Sequence, residues 1–150
     1  MKDGTDRLIL FYLHADGYAL RLEDVAEVLE PPPLYPIPRA PRYFPGIMNF
    51  HGSLIPVIDL AGFLSKGSLS PQGQLLVLDN RIANLALWVD SVESVRSADV
   101  VLDEREVDEE LVEKVLTIST REVRLLSAAR LVDRVEEILA GIGNTHKIRA

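Results

Sequence analysis

Three histidines, His14, His51 and His146, and three aspartates that each close an apolar run, Asp59, Asp79 and Asp90, are the side chains of this chain best suited to proton transfer or metal binding. The histidines are scattered. No HxH or HExxH spacing and no His–carboxylate cluster gathers them, so the sequence offers no ligand set for a metal. A serine nucleophile would want a tight Gly-x-Ser-x-Gly turn, and none is present; nor is a glycine-rich phosphate loop or a dinucleotide fingerprint. With no cysteine, thiol chemistry, thiolate ligands and disulfides are all excluded. A carboxylate at the end of a strand more often hydrogen-bonds the turn that follows than does chemistry. Trp88, inside LALWVDSV, reads as a packing residue. No feature here supports an enzyme, a metal or a cofactor.

Charge narrows the partners. The net charge is −7 and the pI near 4.9, with no Lys/Arg cluster, whereas a phosphate backbone demands a cationic stripe. Nucleic acid is therefore excluded. Acidity is concentrated in DEREVDEELVE, residues 103–113, which reads as a solvated face, with a docking surface for a basic partner as the lesser reading. The longest N-terminal apolar run covers residues 8–13, too short for a signal peptide's apolar region or a membrane span. A soluble cytoplasmic protein without membrane insertion is expected.

The elements that must position these residues are mostly strands. Residues 8–13 and 18–22 flank Asp16-Gly17 and predict a hairpin with an Asp-Gly turn, followed by a short helical turn near 21–25. Most of the prolines fall in PPPLYPIPRAPRYFP, residues 31–45, a connector whose apolar side chains favour packing on the body. GIMNFHGSLIPVIDL, residues 46–60, predicts a second hairpin, 46–50 with 53–59, turning at His51-Gly52, and then a short helix to 64. Residues 74–78 and 82–89 predict a third across 79–81, then comes an extended run at 92–96, and 115–119 with 122–126 predict a last one. Ser127 can cap a helix to about Leu139, with Ala128, Leu131, Val132, Val135 and Leu139 on one face. No internal repeat stands out. The expected fold is mostly β, one domain over residues 1–140, with 141–150 a flexible tail.

The ordered motifs carry a resemblance. APRYFPGIMNFHGSLIPVIDL, residues 40–60, resembles the central signature of the CheW-like domain, in which a proline-containing connector leads to Gly-φ-x-Asn-φ-Arg-Gly and then φ-φ-Pro-φ-φ-Asp-Leu. The Val-Ala-Glu-Val of 25–28, after Gly-Tyr-Ala-Leu at 17–20, resembles that family's N-terminal step, and LWVDSV, 87–92, its Val-Asp-x-Val strand. The matches span roughly residues 8 to 96, with a weaker echo at VLTISTREVRLLSAARLV. The resemblance implies two intertwined five-stranded SH3-like barrels with a groove between them and a C-terminal helix. It implies a non-catalytic adaptor coupling the cytoplasmic tips of chemoreceptors to the regulatory domain of the CheA histidine kinase, recruited to receptor arrays at the inner membrane. Because the chain stops near one domain, a stand-alone coupling protein is expected.

The residues so implied for partner binding are Val25, Glu27, Gly46, Asn49, His51, Gly52, Val92 and Val95. The valines would offer an apolar strip to a receptor helix, their alternative being a plain core role. Pro56 should mark an edge or a bulge. Two departures bear on function. The family usually has arginine where His51 stands, paired with the glutamate matching Glu27; histidine is shorter and lacks the guanidinium fork. The acidic stretch 97–114 stands where the family carries a glycine-containing strand and loop, which predicts a trimmed or rearranged second barrel. Two alternatives remain: a divergent scaffold of a non-motility chemosensory or other kinase pathway, and a small-molecule sensor or enzyme using Asp59, Asp90 and His51 around the groove.

Overall fold

The computed structural model describes residues 6–67 and 70–141. Its elements in order are β1 (Arg7–Leu13), β2 (Asp16–Arg21), β3 (Val25–Leu29), β4 (Gly46–Phe50), β5 (Ser53–Asp59), α1 (Leu60–Phe63), β6 (Gln74–Leu78), β7 (Ala86–Val89), β8 (Ser91–Ser97), β9 (Val101–Arg105), β10 (Val112–Ile118), β11 (Arg121–Leu126) and α2 (Ala128–Gly141), with 3-10 turns at Leu22–Asp24 and Ala98–Val100. The apolar runs in β1 and β6 are continuous because both faces of these strands are buried. Ile9, Phe11 and Leu13 enter one core, and Leu8 and Leu10 another. Leu76 and Leu78 share the core of Ile9, while Leu75 and Val77 enter a third. Alternation of side chains along a strand thus sorts residues into two lobe interiors and a central core between them.

One sheet has the order β8-β1-β2-β11-β10-β9 and the other β3-β6-β7-β5-β4. Both are antiparallel except for the pairs β2 with β11 and β5 with β7. The lobes are intertwined, as expected, because the chain opens in the first sheet, builds the second and returns. The first sheet has six strands rather than five. The ladders leave β8 and β9, and β3 and β4, as edges, so neither sheet closes by hydrogen bonds.

The strand registers contain a repeat that the sequence hides. Val25↔Leu78, Val28↔Leu76 and Leu29↔Leu75 map onto Val92↔Phe11, Val95↔Ile9 and Arg96↔Leu8 under one constant shift in residue number. In each pair the register slips by one residue just after the first valine, at Ala26 in β3 and Glu93 in β8. The turn of β4–β5 and that of β10–β11 each open with a residue at positive φ, His51 and Ser119. Asp59 Oδ1 accepts from Gly62 N–H at the start of α1, and Ser127 Oγ accepts from Arg130 N–H at the start of α2. Each lobe takes two strands from one half of the chain and the rest from the other.

Several expectations change. The first hairpin turns at His14-Ala15, with Leu13 paired to Asp16, rather than at Asp16-Gly17. That register sets Phe11 opposite Tyr18 and Ile9 opposite Leu20, all four in the central core; a slip of one residue would turn them out. β7 begins at Ala86, not 82, because Asp79 Oδ1 accepts from Arg81 N–H and the Asp79 carbonyl from Ile82 and Ala83 N–H, widening the turn. Residues 97–114 are not trimmed: they supply β9, the added sixth strand. Pro56 lies in an interior strand without costing a ladder bond. Its pairing with Ile47 is of the non-hydrogen-bonded kind, and β7 meets β5 only over Val57, Ile58 and Asp59. Helix α2 buries Ala128, Leu131, Val132, Val135 and Leu139, the expected face. His146 and residues 142–150 lie outside the described residues.

Candidate functional site

A two-residue hairpin turn of type I′ needs positive φ at both central positions, and histidine tolerates it better than most non-glycine residues. His51 (φ 50°) and Gly52 (φ 87°) supply it. Asn49 Oδ1 accepts from Gly52 N–H at 3.0 Å, so Asn49 acts first as a brace for this turn. The Phe50 and His51 rings lie 4.2 Å apart. Across the sheet, Glu27 Oε1 stands 3.6 Å from His51 Nε2. Glu27 belongs to β3 and the turn to β4–β5, at opposite edges of the five-stranded sheet, so the pair spans the seam that the ladder leaves open. With side chains 74% and 47% exposed, it contributes at most about 1 kcal/mol. Gly46 lies elsewhere, buried at the far end of β4. A Cβ there would sit 2.6 Å from the Tyr35 carbonyl oxygen, so its close approach is to this chain's own connector.

The edge strands β3 and β8 carry the same Val-x-x-Val step. Val25 and Val92 pack on the central core, while Val28 is 36% and Val95 47% exposed. Val28 was missed from sequence; the matching Val-x-x-Val spacing of 25–28 and 92–95 was the available signal. The structure groups Val25, Glu27, Asn49, His51 and Gly52 on the first lobe, and sets Val92 and Val95 on the edge of the second.

Four of the seven carboxylates of residues 103–113 form ion pairs within the chain. Glu113 pairs with Arg21, Glu109 with Arg124, Glu110 with Arg134 and Glu104 with Lys114. The Glu113 and Glu109 carboxylates push Arg21 and Arg124 above the ordinary arginine value, and Glu104 does the same for Lys114. Replacing Glu109, Glu110 and Glu113 with glutamine removes three of these pairs; each is part-exposed and worth at most about 1 kcal/mol, so only a modest fall in midpoint is expected in a thermal melt of the triple variant.

Asp59, Asp90 and His51 do not converge. Asp59 caps α1, Asp90 accepts from the His14 backbone N–H and stands beside its ring, and His51 faces Glu27. The Trp88 indole N–H donates to the Ser70 carbonyl, which fixes it as a packing residue. A cavity of about 210 Å³ lies between the end of α1, the loop before β10 and α2, lined by Tyr18, Leu64, Lys66, Glu109, Glu110 and Arg134 among others and by none of those three. Burial raises the Tyr18 hydroxyl pKa above its usual value, so that group stays protonated. Among the described residues no cluster of three or more His, Asp and Glu could hold a metal, and no helix is long and apolar enough to cross a membrane.

Comparison with known proteins agrees with this geometry. The family described as the CheW-like domain matches residues 7–141. The probable chemotaxis protein CheW of Rhizobium etli is 24% identical over 144 residues, 91% of this chain and 93% of that protein. Protein FrzA of Myxococcus xanthus is 42% identical over 57 residues, 37% of this chain and 36% of its own length. Among solved structures, the scaffolding protein TtCheW from Thermoanaerobacter tengcongensis superposes with a TM-score of 0.71 at 25% identity, covering 81% of this chain and 88% of that one.

Proposed function

The chain belongs to the CheW-like domain family, and from that premise we propose that it is a non-catalytic chemosensory adaptor that couples chemoreceptor tips to the regulatory domain of a CheA-type kinase on the cytoplasmic side of the membrane. The observation that carries this reading is the pair of equivalent edges, each with one valine seated in the core and one exposed. An exposed valine beside a bulge suits the apolar face of a receptor helix.

A separate surface suits the kinase. Tyr35, 62% exposed, bridges to Ile47, and Leu54, 67% exposed, pairs with Asn49, so all four share the outer face of the β4–β5 hairpin. The connector that carries Tyr35 also carries exposed Arg39 and Arg42. On the other lobe Leu102, 69% exposed on edge strand β9, sits between Asp99 and Asp103. Apolar anchors with opposite charged surrounds suit end-to-end pairing with a kinase domain of the same fold. Titration of the purified chain with a kinase regulatory domain and with a soluble receptor-tip hairpin tests the proposal. Saturable binding to both is expected; binding to neither would sink it.

His51 offers Glu27 a shorter side chain than arginine and no guanidinium fork, and stands 3.6 Å from it. His51→Arg, whose side chain is longer and forked, is expected to close that gap and strengthen receptor-tip binding in a titration. An unchanged affinity would make His51 a bystander.

A further inference from the structure

We infer that Arg121 is a positioning residue for the exposed strip of β8, and that this chain carries on its second lobe the strong charge pair its first lobe lacks. The inference rests on the adaptor reading above. The internal repeat places the tip of β10–β11 where the tip of β4–β5 stands in the first lobe, and β8 where β3 stands. In the first lobe the tip meets the edge strand through His51 and Glu27, loosely and in solvent. In the second, Arg121 Nη2 lies 2.7 Å from both carboxylate oxygens of Glu93, with side chains 35% and 29% exposed.

Two further contacts lock the pair. The guanidinium carbon of Arg121 stands 5.3 Å from the centre of the Tyr12 ring, within reach of a cation–π attraction. The Tyr12 hydroxyl donates to Glu93 Oε1 at 2.6 Å. To reach β1 and β8 from β11, Arg121 must cross β2. Gly17 of β2 lies between Tyr12 on one side and Val123 on the other. Glu93 is the residue at which the β8 register slips. A bulge bends its strand and re-aims neighbouring side chains, so fixing Glu93 at its carboxylate fixes which way Val92 and Val95 point. Val92 packs on the central core with its N–H donated to Gln74 Oε1 at 2.8 Å, and Val95, beyond the bulge, stands in solvent. Three strands, β1, β8 and β11, are tied at one carboxylate.

The test compares wild type, Arg121→Ala and Arg121→Lys by two measurements: amide hydrogen exchange along Val92, Ser94 and Val95, and affinity for a soluble chemoreceptor-tip hairpin, with a kinase regulatory domain as the control partner. Arg121→Ala is expected to speed exchange along β8 and to weaken receptor-tip binding by about tenfold, with kinase binding within about twofold. Arg121→Lys, which keeps the charge, is expected to recover most of both losses. Unchanged exchange in Arg121→Ala would overturn the inference alone. Faster exchange with unchanged receptor-tip affinity would also overturn it, because Arg121 would then serve stability only. A wild-type chain that failed to bind the receptor tip would overturn the adaptor reading and, with it, the docking role of β8.

Discussion

A chain carrying Val28→Glu together with Val95→Glu is expected to fold as the wild type does and to lose about a hundredfold or more in affinity for a chemoreceptor tip, about 2.7 kcal/mol. Both valines are exposed at edge strands, so a carboxylate at either meets water in the free protein and costs the fold little. On docking, the same carboxylates would be desolvated against an apolar helix face, and a buried unpaired charge is among the costliest features an interface can contain. Kinase-domain affinity is expected to stay within a few-fold, since Tyr35, Leu54 and Leu102 lie on other surfaces. Calorimetric titration with each partner, alongside a thermal melt, checks all three statements. A loss of less than about fivefold, under 1 kcal/mol, would show that the two edges are not the receptor strip.

Leu131→Ala is expected to destabilise the fold by about 2–5 kcal/mol, the cost of a cavity where a fully buried leucine stood. Leu131 is 0% exposed and joins the central core that holds both lobes together. Its helix is tied down at its first turn, where the Ser127 carbonyl accepts from Leu131 N–H and the Leu111 carbonyl from Ser127 N–H. A cavity here loosens the joint between the lobes as well as α2, so denaturant unfolding should stay a single transition at lower midpoint. Leu131→Met, which keeps the volume, is expected to cost less than about 1.5 kcal/mol. A Leu131→Ala loss below 1 kcal/mol would mean that α2 is not part of the cooperative core.

What could be read from the sequence was local. The β4–β5 hairpin, with its turn at His51-Gly52, follows from adjacent residues: two apolar runs, a glycine at positive φ, and nothing that needs a distant partner. The same holds for α2. Ser127 at the cap and five apolar residues at helical spacing depend on neighbours within a turn or two, and all five are buried. The absence of a catalytic side-chain pattern is likewise a property of residue types and spacing, and the ordered motifs of 8–96 pointed to the family.

Tertiary structure decided everything that depends on which strand pairs with which. The first hairpin turns at His14-Ala15, the register that sets Ile9 opposite Leu20 and Phe11 opposite Tyr18 in one core; a turn at Asp16-Gly17 would set Ile9 opposite Asp24 instead, and no local turn preference outweighs those matched core pairs. The repeat stayed hidden because its halves share registers, a slip after the first valine and cap positions while most of their side chains differ. Glu27 and His51 meet across opposite edges of a curled sheet, and Arg121 meets Glu93 across the two intervening strands β1 and β2; neither distance is written in sequence separation. The exchange of strands between lobes makes each edge, and therefore each exposed valine, a property of the whole fold. Turns and caps are fixed by neighbours along the chain, while edges, seams and the surfaces offered to partners are fixed by packing between segments far apart in it.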